Sequence, residues 1–335
     1  MHTLNKAAIL VEQNKPLVVT DIDIPELSVG QVLVQVKYSG ICGKQLDEHE
    51  GRQPDKFLPH LLGHEGSGIV VDIGAGVKKV KEGDHVVLHW MKGSGIDSEP
   101  PRFKWGDKSV SAGWVTTFNE YAIVSENRVT KILENVKLDV AALLGCAVTT
   151  GLGIVLNNAN LKPGQSIAVF GCGGVGLNVI QGANLVNAYP IVGFDTKINK
   201  YGIARNFGAH FVWNELTDEE FDVTVDTTGI KSVREAAFDH TKKGGKCIFA
   251  GVPRFDEPIT IDSYPIHAGV QIIGSHGGAT NPDVDIPRYL GLYDRGVLKL
   301  DEQITHRFPL EKINEAMEVV KRGEAGRCLI WMNEA

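Results

Sequence analysis

Cysteine is sparse in this chain, clustered positive charge is missing and long apolar runs are absent; each shortage removes a class of protein. Five cysteines among 335 residues, at positions 42, 146, 172, 247 and 328, are odd in number and widely separated. They do not form a disulfide framework, and a reducing, cytoplasmic setting fits them. With 34 basic against 41 acidic residues the formal charge is −7, and no Lys/Arg run could neutralise a track of phosphates. That argues against nucleic acid or an anionic membrane as a partner. The opening MHTLNKAAILVEQ has no basic stretch followed by an apolar one, so no secretory signal is read there. The one long uncharged segment, Val140 to Leu161, contains Thr149, Thr150, three glycines and the polar string NNAN, too mixed for a bilayer span; it reads as a buried helix. Neither an internal repeat nor a low-complexity linker is visible.

What remains is an ordinary globular composition, 43% hydrophobic and 22% charged, long enough for about two domains with a cleft for a small molecule. Residues 1 to about 135 carry short β-branched runs separated by turn residues (QVLVQVKYSG, GSGIVVDIG, GDHVVLHW, NEYAIVS), the pattern of an irregular β-rich domain. From SIAVFGCGGVG onward strands alternate with helical patterns: IAVFG, PIVGFD, FDVTVDT, KCIFAG and VQIIGS. Such alternation means βαβ units and a parallel sheet, an α/β fold. After Asp285 come two amphipathic helical patterns and a closing strand, RCLIWM.

The string Gly171-Cys172-Gly173-Gly174-Val175-Gly176 fits G-x-G-x-x-G, follows the apolar strand Ile167–Phe170 and opens a helix. In that setting the glycines allow a tight turn, close approach of backbone to a pyrophosphate, and helix-on-strand packing. Nineteen residues past Gly176 the next strand ends in Asp195, whose carboxylate can accept hydrogen bonds from ribose hydroxyls and would repel a 2′-phosphate. The combination favours NAD over NADP. Three further residues suit a metal: Cys42 in SGICGKQ, His64 in LLGHEGSG and Cys146 in LLGCAVTTG. Two thiolates and an imidazole with a fourth position open suit catalytic zinc. Spacings of 22 and 82 residues do not decide it, since an isolated Cys or His also serves as a buried packing residue.

Taken together, GICG, GHEGSG, the GDxV segment at Gly83–Val86, LLGCAVTTG and GCGGVG resemble the zinc-dependent alcohol dehydrogenases of the medium-chain dehydrogenase/reductase superfamily, over nearly the whole chain. The resemblance implies a GroES-like catalytic domain from residues 1–147 and 278–335 and a Rossmann domain at 148–277. It implies catalytic zinc on Cys42, His64 and Cys146, with Glu65 approaching the metal from behind the ligands. Thr150 and Val175 match positions against the nicotinamide, Lys200 one beside the adenosine ribose, Arg327 one on the pyrophosphate, and Trp90 one in the substrate pocket. A homodimer or homotetramer acting on a small alcohol, polyol or sugar derivative is expected with it.

The chain departs from that family in two places. Many relatives hold a structural zinc on four close cysteines after the GDxV segment, whereas MKGSGIDSEPPRFKWGDKSVSAGW has none; one zinc per chain is expected, with this lobe packed around Trp105 and Trp114. Against the family string C-G-[ST]-D-x-H the chain reads Cys42-Gly43-Lys44-Gln45-Leu46-Asp47. Lys44 replaces the proton-relay hydroxyl, Asp47 the outer histidine, and Gln45 the carboxylate that orients the histidine ligand. Lys44 is a candidate proton acceptor or an anchor for a polar substrate, or else a solvated surface lysine; Asp47 would favour its charged form. Three readings compete: an NAD- and zinc-dependent alcohol or polyol dehydrogenase, a zinc-free quinone or enone reductase of the same superfamily, and a non-catalytic dinucleotide sensor.

Overall fold

The computed structural model describes residues 4–52 and 57–332. The chain divides into two compact units, Met1–Cys146 with Asn281–Gly296 and Leu300–Ala335, and Ala147–Thr280 with Val297–Lys299.

In the first unit the β-branched runs pair mostly antiparallel, with His60–Leu61 parallel to Lys108–Ser111. Leu4–Leu10, Val18–Asp23, Arg102–Trp105, Lys108–Ser111 and His60–Leu61 close into a small barrel. A second sheet is centred on Gln31–Gly40, which pairs with Glu65–Ile73, Tyr121–Ser125 and Arg327–Trp331. Val32, Val34 and Val36 alternate into the core, as the period of two in QVLVQV requires. This pairing sets Glu65 at the start of one strand and Arg327 at the start of another, both flanking the Gly40 end of the central strand. The helix Gly43–His49 then leaves directly after Cys42.

In the second unit six strands lie parallel in the order Phe211–Trp213, Ile191–Phe194, Ile167–Phe170, Phe221–Asp226, Thr241–Phe249 and Gln271–Gly274. Ile167–Phe170 and Ile191–Phe194 are buried throughout, matching their unbroken apolar sequence, because helices cover both faces of such a sheet. The order reverses direction beside Ile167–Phe170, which is where doubly wound sheets bind ligands.

Two expectations need correction. The buried segment Val140–Leu161 is not one helix. It runs as Leu138–Ala142, a tight turn Leu143–Gly145, then Ala147–Gly153 and a wider helical stretch Ile154–Ala159. Cys146 breaks it, at φ −150° and ψ −73°. Gly145 precedes the break because a Cβ there would stand 2.4 Å from the Leu88 carbonyl oxygen and 2.8 Å from the Glu65 Cβ. Among the described residues no single helix is long and apolar enough to cross a membrane.

The second correction concerns the cysteine-free lobe. Trp105 packs on the barrel core, but Trp114 is 43% exposed, with the cations of Lys92 and Arg128 over its ring. Two carboxylates hold the loop instead. Glu126 accepts the backbone N–H groups of Lys78 (2.6 Å), Lys79 (2.7 Å) and Ile96 (2.8 Å). Asp283 accepts from the Ser94 N–H (2.6 Å) and hydroxyl (2.7 Å), and lies 2.9 Å from the Thr130 hydroxyl. Burial would raise the Asp283 carboxyl, but the Lys79 ammonium paired with it and the two Ser94 bonds keep it down at about 2. Thr130 in turn meets His89, a buried imidazole whose other nitrogen is on the Met91 carbonyl and which burial holds down at about 4.

Candidate metal centre and nucleotide loop

Cys42, His64, Glu65 and Cys146 each bring one donor atom to a common point, all within 4.8 Å of one another. Among the described residues this is the one group of three or more such side chains. Three elements deliver them: the loop before Gly43–His49, the start of Glu65–Ile73, and the break at Cys146. Cys146 and Glu65 are buried, Cys42 and His64 half-buried. The Nε2 of His64 and the Oε2 of Glu65 are buried without a hydrogen-bond partner, which is costly unless something else engages them. Cys146 donates to Cys42, so the Cys42 thiol is held well below its ordinary value and the Cys146 thiol well above. Two sulfurs, a free imidazole nitrogen and a carboxylate oxygen fit zinc in donor type and number.

Around the donors, Gln45 is buried and bridges two of them. Its Oε1 accepts the Cys42 backbone N–H at 2.9 Å and its Nε2 lies 2.6 Å from His64 Nδ1. Glu65 Oε1 takes a hydrogen bond from Arg327, a fully buried ion pair between residues 262 apart in the chain. Burial raises the Glu65 carboxyl and Arg327 only partly opposes this, while the cluster's negative groups raise Arg327. Gly40 makes room for the pair, since a Cβ there would sit 2.7 Å from both side chains. Arg327, expected on a pyrophosphate, thus meets Glu65 here. Neither the pairing nor the need for glycine at 40 and 145 has a signal in the sequence; only the fold brings these positions together.

Of the remaining expected residues, Trp90 lies beside His64 with ring centroids 6.5 Å apart. Lys44 is half-buried with its ammonium 3.6 Å from Glu48, one helical turn on, while Asp47 pairs with Arg52 at 2.9 Å. Glu48 is thus the carboxylate within ion-pair distance of Lys44, because positions four apart share a helix face, while Asp47 feels the Lys44 charge from further off. Burial raises the Asp47 carboxyl.

The nucleotide motif has the strand, turn and helix its sequence implies. Gly171 takes φ +95°, Gly173 precedes the helix Gly174–Leu185, and a Cβ on Gly176 would be 1.8 Å from the Gly171 carbonyl oxygen. Val175 is half-buried in the first turn of that helix. Thr150 is buried on Ala147–Gly153, which crosses the same helix closely at Gly151, where a Cβ would meet Asn178 and the Val175 carbonyl. Asp195 Oδ2 accepts the Cys172 N–H at 2.8 Å, and Oδ1 accepts that of Lys197 at 2.8 Å. The carboxylate is thereby fixed at the strand end beside the glycine turn. Lys200 is buried nearby, and that burial lowers its ammonium while Asp195 opposes the shift. Burial pushes the Cys172 thiol up to about 12, so it is inert packing.

Residues 28–134 match the alcohol dehydrogenase GroES-like domain and residues 174–293 the zinc-binding dehydrogenase domain. Alcohol dehydrogenase class-3 of Pisum sativum is 31% identical, covering 98% of this chain and 98% of its own. S-(hydroxymethyl)glutathione dehydrogenase of Paracoccus denitrificans is 30% identical over 97% of this chain and 99% of its own. An alcohol dehydrogenase zinc-binding domain protein from Burkholderia ambifaria has the same fold, with TM-score 0.91, 24% identity and full coverage of both chains. A GroES-like unit carrying the donor cluster, joined to a doubly wound nucleotide-binding unit, defines an oxidoreductase of the medium-chain dehydrogenase/reductase class. Within that class the chain belongs to the zinc-dependent alcohol dehydrogenases, a family that implies zinc and NAD.

Proposed function

We propose that this protein moves a hydride between a small alcohol and NAD, with one zinc per chain held by Cys42, His64 and Cys146. The observation that carries this reading is the buried, partnerless Nε2 of His64 set among two cysteine sulfurs. Zinc there would supply a Lewis acid that polarises the substrate oxygen. The chain's residues do the rest. Thr150 and Val175 position the nicotinamide, Gly171, Gly173, Gly174 and Gly176 admit the pyrophosphate, and Asp195 and Lys200 hold the adenosine ribose. Asp195 supports NAD over NADP, since a 2′-phosphate would face a fixed carboxylate. Trp90 walls the substrate side, and Arg327 pairs with Glu65 beside the ligands, partly offsetting the burial that raises its carboxyl.

Lys44 and Glu48 together offer a hydroxyl both a donor and an acceptor without net charge, which supports a neutral polyol or sugar derivative as substrate. Lys44 would anchor such a substrate or pass its proton outward, with Asp47 further along the path. A cytoplasmic homodimer or homotetramer accords with this reading. The test is zinc content together with NADH and NADPH formation on a panel of alcohols, polyols, sugars and S-(hydroxymethyl)glutathione. One zinc per chain and NAD-specific turnover of a hydroxyl substrate are expected. A protein purified gently without metal, or reducing NADP equally well, refutes the corresponding part.

A further inference from the structure

We propose that Gln45 makes this a loosely held, exchangeable metal site, because its amide matches both of its neighbours in the metal-free cluster and only one of them in the loaded one. The inference rests on zinc being held by Cys42, His64 and Cys146, and it concerns how tightly. A neutral imidazole that gives its Nε2 lone pair to a metal carries its single proton on Nδ1, which must then donate to something. Nδ1 of His64 faces Gln45, and so does the Cys42 backbone N–H. In the loaded state two N–H donors therefore converge on one side chain. A carboxylate has an acceptor oxygen for each; a carboxamide has one acceptor oxygen and one donor-only nitrogen.

Turning the amide over changes which donor is left facing nitrogen and never the count, so the argument does not depend on which way the amide points. If Oε1 stays on Cys42, the His64 Nδ1–H meets an NH2 group. If Oε1 turns to His64, the Cys42 N–H at the start of Gly43–His49 loses its acceptor. Gln45 is buried, so water does not readily make up the difference. In the metal-free protein His64 can carry its proton on Nε2, so that Nδ1 accepts from the amide and both contacts of Gln45 are matched. Groups that orient metal-binding histidines typically change metal affinity by about 10- to 100-fold when altered. Gln45 thus acts as a positioning residue through His64, tilting the balance toward release.

The experiment compares wild type, Gln45→Glu and Gln45→Met, each stripped of metal and shown by circular dichroism to be folded. Zinc dissociation constants are measured by competition with a chromogenic chelator. Gln45→Glu should bind zinc at least ~10-fold more tightly than wild type and release it correspondingly more slowly, while Gln45→Met, with no acceptor at all, should bind more weakly. Added negative charge alone would also tighten binding, so a second readout is needed. The His64 Nδ1 proton should give a slowly exchanging NMR resonance in zinc-loaded Gln45→Glu and not in zinc-loaded wild type. Equal or weaker zinc affinity in Gln45→Glu, or tighter affinity without that resonance, overturns the proposal. If Gln45→Glu fails to fold, Gln45→Asp takes its place with the same criteria. Failure of all the folded proteins to bind zinc would instead sink the functional reading on which this one rests.

Discussion

At the scale of single residues, the buried pair of Glu65 and Arg327 is harder to break than to remove. Either charge alone in that position would be desolvated and uncompensated. Arg327→Met should cost the metal-free protein about 3–5 kcal/mol in urea unfolding, whereas Arg327→Met combined with Glu65→Leu should recover most of the loss. A single variant as stable as wild type would mean that Glu65 takes up a proton without penalty. The same pair shows where sequence reasoning stops. Glu65 was legible as a group near the metal only through its neighbour His64 in the GHEGSG string, and Arg327 only as a family position. That one neutralises the other depends on Glu65–Ile73 and Arg327–Trp331 both meeting the strand Gln31–Gly40, which no local pattern encodes.

At the scale of elements, the glycine loop was legible because strand, turn, helix and acid occur within about thirty residues and each imposes its own residue type. Gly176→Ala should abolish NADH binding, read by nucleotide fluorescence, and lower the melting temperature, since its Cβ would overlap the Gly171 carbonyl. Retained binding would show that the turn opens without harm. The lobe after Gly83–Val86 was not legible, because Glu126 and Asp283 look like any surface acid until the loop they clamp is in place. Nor was the break at Cys146: no proline marks it, and Gly145 reads as one more small residue in an apolar helix. Beside that lobe, His89 gives stability a pH dependence. Its folded value of about 4 lies below the roughly 6.5 of an unfolded histidine, so the unfolded chain binds more protons between those limits. Its share of stability is complete above about pH 6.5 and falls by roughly 3 kcal/mol as the pH drops to about 4. Urea unfolding at pH 7, 6 and 5 should show this slope, and His89→Asn should flatten it.

At the scale of the whole molecule, the two units have separate hydrophobic cores, and the cysteine-free lobe is tied by carboxylates. Stripping the metal with a chelator should therefore end turnover while leaving far-ultraviolet circular dichroism and the melting temperature close to those of the loaded protein. Unfolding in step with metal loss would mean that zinc is part of the scaffold. The long chain separation of Glu65 and Arg327 also sets a timetable. At about 5–20 residues per second of synthesis, Glu65 is polymerised roughly 13–50 seconds before Arg327. Throughout that interval the strand carrying His64 and Glu65 has no counter-charge to bury against. Cys42, His64 and Cys146 are thus all made before Glu65 has its counter-charge, so the donor set exists in the growing chain well before the ion pair beside it.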